Sequence, residues 1–307
     1  MQINGVMIED TFAEAFTMRA VRITITAADV YWAEQAAIAA TGFATSVIGC
    51  GVEAGIEGVS PKTPDGRPGV DCLFFATSEE DLESNMINRI GQAIMTAPTT
   101  ACYAAPLTEF DPDDEKLSKN SNIGNKLRYF GDGHQASKLI ADVRYWRIPV
   151  MDGEFLLQEE YTVAKAVGGG NFLIMAEGEG PALNALRAAV EKMREIRGVI
   201  LPFPGGAVRS GSKVGSRYKF MNASTNSAYC PTLRDKVEDC KLPDGVNVVM
   251  EIVVDGLTPE LVAKAMEAGI REAAQVPGIL GITAGNYGGK LGKHHFHLHQ
   301  LLGGEAK

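Results

Sequence analysis

Apolar and polar positions follow one order of periods twice along this chain. RITITA, Arg22 to Ala27, alternates with period two and predicts a strand. AADVYWAEQAAIAATG then carries apolar residues at helical spacing, and the β-rich TSVIGC, Thr45 to Cys50, closes a β-α-β unit. After the turn-rich TPDGRPG comes VDCLFFAT, Val70 to Thr77, then a helix capped by Ser78 with Glu79 and Glu80 in its first turn, and a strand within IMTAPTTACYA. The second half repeats the sequence of elements. GNFLIMAEG, Gly170 to Gly178, precedes a helix that starts near Pro181 and stops at Gly198, followed by VILPF; VNVVMEIVVDGL, a helix from Pro259 to about Gln275 and GILGITAG complete the copy. Two β-α-β-β-α-β units predict an α+β protein of duplicated ferredoxin-like lobes with inserted loops, divided as residues 1–150 and 151–307.

Two stretches fall outside this pattern. Between the copies, DPDDEKLSKNSN, Asp111 to Asn122, predicts a solvated charged loop, while KLRYF, VRYWRIPV and EFLLQEEYTVAKAV predict additional strands. In the second copy the strands are separated by LPFPGGAVRSGSKVGSRYKFMNASTNSAYCPT, Leu201 to Thr232. A connection longer than about 12 to 15 residues is usually functional or disordered. Phe203, Tyr218, Phe220 and Tyr229 supply the apolar anchors that disordered segments lack, so this one predicts a binding loop.

Composition narrows the class. The chain has 307 residues, 45% hydrophobic and 22% charged, enough for two lobes each with its own core. No apolar run approaches the roughly 18 residues of a membrane span, and MQINGVMIEDTF is acidic where a signal peptide is basic, so the cytoplasm is the expected compartment and no membrane the expected partner. A net charge of −9 disfavours nucleic acid as well. Cys50, Cys72, Cys102, Cys230 and Cys240 are scattered and odd in number, which predicts buried, reduced thiols rather than a disulfide framework.

Several motifs invite chemistry and fail on spacing. GGGN at Gly168 to Asn171 precedes a strand, whereas a dinucleotide fingerprint follows one. Gly211-Ser212-Lys213 resembles a fragment of a phosphate loop, but the full spacing G-x-x-x-x-G-K-S/T is absent and no helix follows. Arg209, Lys213, Arg217 and Lys219 suit either the carboxylate or phosphate of a ligand or an ordinary cationic surface. In HHFHLH, period two puts His295, His297 and His299 on one strand face, a geometry that suits zinc, but no carboxylate or cysteine completes the set nearby, which favours a structural role. Glu251 is sharper. It interrupts the apolar run VNVVMEIVVDGL, a strand expected to be buried on both faces, where a lone carboxylate is costly unless paired or protonated. It is either a proton-transfer group with a raised pKa or one half of a buried ion pair, for example with an arginine of the loop.

INGVMIEDTFAEAF, TGFATSVI with EAGIE, TPDGRPGV, GGNFLIMAE, PFPGG with SGSKVGS and KFMNASTN, MEIVVDGL and ITAGNYGGKLGKH span the chain and together closely resemble the formylmethanofuran:tetrahydromethanopterin formyltransferases, a family of methanogenic and sulfate-reducing archaea and of methylotrophic bacteria. The resemblance implies a cytoplasmic enzyme of one-carbon metabolism, in methanogenesis or in formaldehyde oxidation, that binds no prosthetic group and moves a formyl group reversibly between a methanofuran-type amine and N5 of tetrahydromethanopterin. Formylmethanofuran (or methylofuran) and tetrahydromethanopterin are then cosubstrates, and metal is not required. It also implies a homotetramer built as a dimer of dimers, a cleft near a subunit interface and, in methylotrophs, a complex with formylmethanofuran hydrolase subunits. By motif match the family's catalytic glutamate falls on Glu251. Ser212, Lys213, Arg217, Thr225, Asn226, Asn171, Asn286, Tyr287 and Lys290, in the glycine-rich and polar motifs, are the candidate contacts to the carriers. The alternatives are a non-catalytic ligand-binding or scaffold subunit on the same fold and a hydrolase releasing formate from the same carrier.

Overall fold

The computed structural model describes residues 1–46, 51–107 and 118–304. In the first half, β1 (Phe12–Thr26), α1 (Val30–Thr41), β2 (Glu53–Val59), β3 (Gly69–Ala76), α2 (Glu79–Arg89) and β4 (Ala101–Ala104) follow in order. Their strands lie in the order β4-β1-β3-β2, all neighbours antiparallel. The second half gives β5 (Tyr161–Ala176), α3 (Glu179–Arg194), β6 (Val199–Ile200), β7 (Val248–Gly256), α4 (Pro259–Ala273) and β8 (Ile279–Thr283), with the same order β8-β5-β7-β6. Both halves are thus the expected ferredoxin-like lobes.

Each helix lays one apolar face on its sheet. In α1 this is Ala33, Ala36, Ala37 and Ala40, and in α4 Val262, Ala265, Met266, Gly269, Ile270 and Ala273, the i, i+3, i+4 spacing of one helical face. Gly269 lets α4 approach α3 closely, since a Cβ there would lie 2.5 Å from Met193 Sδ. Asp29, Ser78 and Thr258 cap three of the helices, their side chains accepting from Trp32, Asp81 and Leu261 N–H.

The first strands of the two lobes are longer than their apolar runs. The extra residues pair with each other, Val21 opposite Val163 through Phe16 opposite Gly168, which fuses both sheets into one. Met18, Ala20, Leu73, Phe75, Ala166, Ile200 and Leu257 pack between the lobes on the side away from the helices. Buried Arg22, Glu57 and Asp71 add a polar network there, closed by the half-exposed Arg197. The chain ends cross over as well: Val6–Ile8 pairs with β8, and His294–His297, β9, pairs with the start of β1.

Not every expected element forms as read. The strand foreseen at Thr45–Cys50 lies largely outside the described residues, and the partner of β3 is Glu53–Val59, to which the sequence pattern assigned no element. Gly55 is needed there because a Cβ would meet Ile200 Cβ at 2.9 Å. KLRYF is helical, not a strand: Ile123–Leu127 forms an α-turn that buries Ile123 and Leu127, one helical turn apart, and Arg128–Gly131 tightens into a 3-10 turn. VRYWRIPV and EFLLQ are strands as expected, Val143–Val150 and Gly153–Gln158, and the latter joins β4 in parallel, carrying the first lobe's sheet past residue 150. The charged stretch Asp111–Asn122 lies mostly outside the described residues, although Ser118–Ser121 pairs with β5. Of the cysteines, Cys72 and Cys102 are buried, Cys230 and Cys240 are half-buried, all four are free, and Cys50 lies outside the described residues.

Candidate active site

Glu251 is positioned by a row across the second lobe's sheet. It stands opposite Leu173 of β5, which in turn stands opposite Thr283 of β8. On its other side β6 is too short to reach it, and Val208 of the long loop takes the edge, exchanging both backbone hydrogen bonds with Glu251 at 2.8 and 2.9 Å. The strand is not buried on both faces as expected. Ile252 and Val254 pack on the helices, whereas Glu251 and Val253 line an open cleft of about 530 Å³.

Glu251, Ser212, Lys213, Asn226, Asn171, Asn286 and Tyr287 meet in this one cleft. The long loop supplies its wall through a small hairpin, Ser212–Val214 against Ala223–Thr225, which Lys213 Nζ bridges to Ser227 Oγ at 2.8 Å. Arg217 and Thr225 lie on an adjoining shallow depression that shares Lys213, and Lys290 is exposed on the loop after β8. His295 and His297 instead pack their rings on Phe12, at 4.9 and 5.1 Å between centroids. The strand ends at His297, so His299 leaves the expected face and bonds Ile8 O at 2.9 Å. Among the described residues no three His, Cys, Asp or Glu side chains are grouped to hold a metal.

The electrostatics single out Glu251. Among the described residues no hydrogen bond or ion pair reaches its carboxyl, so the arginine partner considered from sequence is absent there, and burial alone raises it to about 7. A carboxyl poised near neutrality exchanges protons readily in both directions. Tyr287 is pushed up by burial and then by the charges of Glu251 and Glu14, which keeps its hydroxyl a donor.

This proton has a consequence for stability. The carboxyl titrates at the ordinary 4.5 when exposed and near 7 in the fold, so the folded chain holds the proton more tightly. The stability it contributes is complete below the lower value and is lost as pH rises through the higher one. At about 1.4 kcal/mol per unit the loss is at most about 3 kcal/mol, and water entering the cleft reduces it. Glu251→Gln should therefore gain in melting temperature on wild type between about pH 5 and pH 8; a difference that does not move with pH would mean the carboxyl titrates normally.

Other cleft residues were not foreseen from sequence. Glu9 Oε2 accepts from Thr283 Oγ1 at 2.6 Å at the cleft's edge. Asn171 is read from sequence as a ligand contact, and its side chain also clamps the backbone: Oδ1 accepts from Gly285 N at 2.6 Å and Nδ2 donates to Gly169 O and Gly285 O. Glu53, from the first lobe, borders the cleft beside fully buried Asp255 of β7. Burial, then the Glu53 carboxyl, pushes Asp255 well above the carboxylate range, so the hydrogen-bonded pair holds a proton between the lobes. Acids spread over distant segments give no local motif; only the fold gathers them.

Known proteins match this chain along its whole length. Residues 1–150 match the family model for formylmethanofuran-tetrahydromethanopterin formyltransferase, and residues 153–301 match that for the proximal lobe of the same enzyme. A formylmethanofuran-tetrahydromethanopterin formyltransferase of Methylococcus capsulatus is 54% identical over 307 residues, covering 98% of this chain and all of that one. The solved formyltransferase of Methanosarcina barkeri superposes with a TM-score of 0.89 at 48% identity, over 98% of this chain and 100% of its own. The formyltransferase/hydrolase complex of Methylorubrum extorquens with methylofuran contains a chain that superposes at 0.92 with 47% identity, over 99% of each. With both lobes matched end to end, the chain belongs to the formylmethanofuran-tetrahydromethanopterin formyltransferase family.

Proposed function

We propose that this protein transfers a formyl group reversibly between the amine nitrogen of a methanofuran-type carrier and N5 of tetrahydromethanopterin. The observation that carries the mechanism is the Glu251 carboxyl, raised to about 7 and facing the cleft. N5 attacks the formamide carbon, forming an N–C bond and a tetrahedral intermediate whose oxygen takes up the charge. Collapse breaks the bond to the carrier amine. N5 must lose a proton and the leaving amine must gain one, and a single carboxyl titrating near neutrality serves both. Lys213, Asn226 and Tyr287 line the same cleft and are our candidates for donors to the oxyanion. Ser212, Asn171 and Asn286 are the inner contacts to the carriers in this mechanism, and Arg217, Thr225 and Lys290 the outer ones.

The decisive assay incubates the protein with formylmethanofuran, with and without tetrahydromethanopterin, following pterin absorbance and free formate. Formyl transfer that requires the pterin supports the proposal. Formate released without pterin would make the protein a hydrolase, and no reaction with either would leave a binding subunit. Positioning and proton transfer suffice for an amine-to-amine exchange, so exhaustive chelation should leave the rate intact; bound zinc whose removal abolishes transfer would overturn that.

We also assign the chain to a homotetramer, a dimer of dimers, and to a complex with formylmethanofuran hydrolase subunits in the cytoplasm. The solved relative in such a complex supports the second partner, and the exposed apolar hairpin residues Val214, Tyr218, Phe220 and Met221 beside the cleft support cover by another chain. Among the described residues no helix is long and apolar enough to cross a membrane. Sedimentation should give a dimer or tetramer, and full activity in a strictly monomeric fraction would contradict the assembly.

A further inference from the structure

The loop after β8 carries Asn286 and Tyr287 into the cleft, yet it has no regular structure of its own between Gly285 and Gly292. Its shape comes from a side chain on the first lobe's longest strand. Glu14, 1% exposed, accepts four backbone N–H groups: Tyr287 and Gly289 on Oε2 at 2.7 and 2.9 Å, Leu291 and Gly292 on Oε1 at 2.6 Å each. Each carboxylate oxygen takes two donors, and no ion pair to Glu14 occurs among the described residues. Gly288 and Gly289, with φ of 72° and 71°, turn the chain so that its amides point inward at this one anion. Gly292 must be glycine to let the loop close, because a Cβ would lie 2.4 Å from Ala15 O.

The same strand fixes the loop's outer side. Asn286 Nδ2 donates to Phe12 O at 3.1 Å, and the Tyr287 ring lies 6.2 Å from that of Phe16. Burial would raise the Glu14 carboxyl, but the four N–H groups outweigh it and hold it below its usual range, so it stays an anion.

We propose that Glu14 is a positioning residue for formyl transfer: its carboxylate, saturated by the four loop amides, sets Tyr287 and Asn286 in the cleft that Glu251 enters from β7. It borders the cleft, but its carboxylate oxygens are taken by the four amides, so it acts through the loop. This inference rests on the formyl-transfer reading and extends it to a residue one lobe away from the acid.

The test is Glu14→Gln. Glutamine keeps one acceptor oxygen and turns an NH2 towards two N–H donors, so at least two of the four bonds are lost. Three quantities are read on one preparation: amide hydrogen exchange at Tyr287, Gly289, Leu291 and Gly292, melting temperature, and kcat and KM for transfer. Exchange at these amides should accelerate, and kcat/KM of the folded protein should fall on the order of 10²-fold, the scale of a misplaced catalytic constellation. A double-mutant cycle separates positioning from bulk stability. If Glu14 acts through Tyr287, Glu14→Gln costs much less in a Tyr287→Phe background than alone.

Normal kinetics despite accelerated exchange, or a fully additive loss in the cycle, overturns the proposal and leaves Glu14 a structural staple. If Glu14→Gln does not fold, Gly289→Ala disturbs the same turn through its left-handed backbone with Glu14 in place, and unchanged kinetics there overturns the proposal equally. Wild-type transfer is measured first. Its absence removes the functional reading together with this one, whereas its presence beside a normal Glu14→Gln removes the positioning role alone.

Discussion

Replacing Glu251 by glutamine should lower turnover by roughly 10²- to 10⁴-fold while the fold survives, the usual span for loss of a general acid/base. Glutamine matches the volume and hydrogen-bonding reach of the acid but exchanges no proton. The structural alternative makes the opposite demand. A carboxylate holding a buried partner, once neutralised, strands that partner's charge at a cost of about 3 to 5 kcal/mol and leaves the folded fraction active. Glu251 has no such partner among the described residues, and its backbone is held by Val208 on one side and Leu173 on the other whatever the side chain. Stability and rate should therefore separate cleanly. Turnover and melting temperature measured on one preparation decide it: wild-type turnover in the variant would remove Glu251 from the mechanism, and a large fall in melting temperature at neutral pH would restore the ion-pair role.

How much of this was legible before the fold was known follows from the range of each interaction. The duplicated unit could be read because strand and helix periods are local properties. Glu251 could be read because a carboxylate in a run of β-formers contradicts its neighbours. Glu53–Val59 could not, since Gly55 within it answers a contact with Ile200 made by the other lobe. The paired stretches of β1 and β5, FTMRAV and VAKAVG, mix small and charged residues because they pair with each other at the centre of the joined sheet rather than fill a lobe's core. Glu14 sits nearer the start of β1 as an ordinary-looking acid, and its four donors come from the far end of the chain. HHFHLH, read as structural, loses His299 from the expected face for a related reason: period two holds only while the strand lasts, and it ends at His297.

The joint between the lobes yields the second large effect, an expected destabilisation of about 3 to 5 kcal/mol for Arg22→Met. Arg22 Nε and Nη2 grip Glu57 at 2.8 and 2.6 Å, Nη1 donates to Pro106 O at 2.7 Å, and the paired side chains are 2% and 1% exposed. Arg197 reaches Asp71 at 2.7 Å from the second lobe, and Gly198 N donates to Glu57, so this cluster ties β1, β2 and β3 to the turn after α3. Methionine fills the space of the arginine stem but leaves Glu57 a buried anion whose remaining cation, Arg197, lies 3.4 Å away and is 45% exposed. At roughly 2 to 4 °C per kcal/mol for a chain of this size, melting should drop by about 10 °C. Removing both charges tests the cause, because an apolar pair of similar volume strands no buried charge and costs only the bonds to Pro106 O and Gly198 N: Arg22→Met with Glu57→Leu should recover part of the loss. The cluster lies away from the cleft lining, so the folded fraction should keep its turnover. A single variant within about 1 kcal/mol of wild type would place the pair with the weak surface bridges, and a double variant no better than the single would mean that shape, not charge, holds the lobes together.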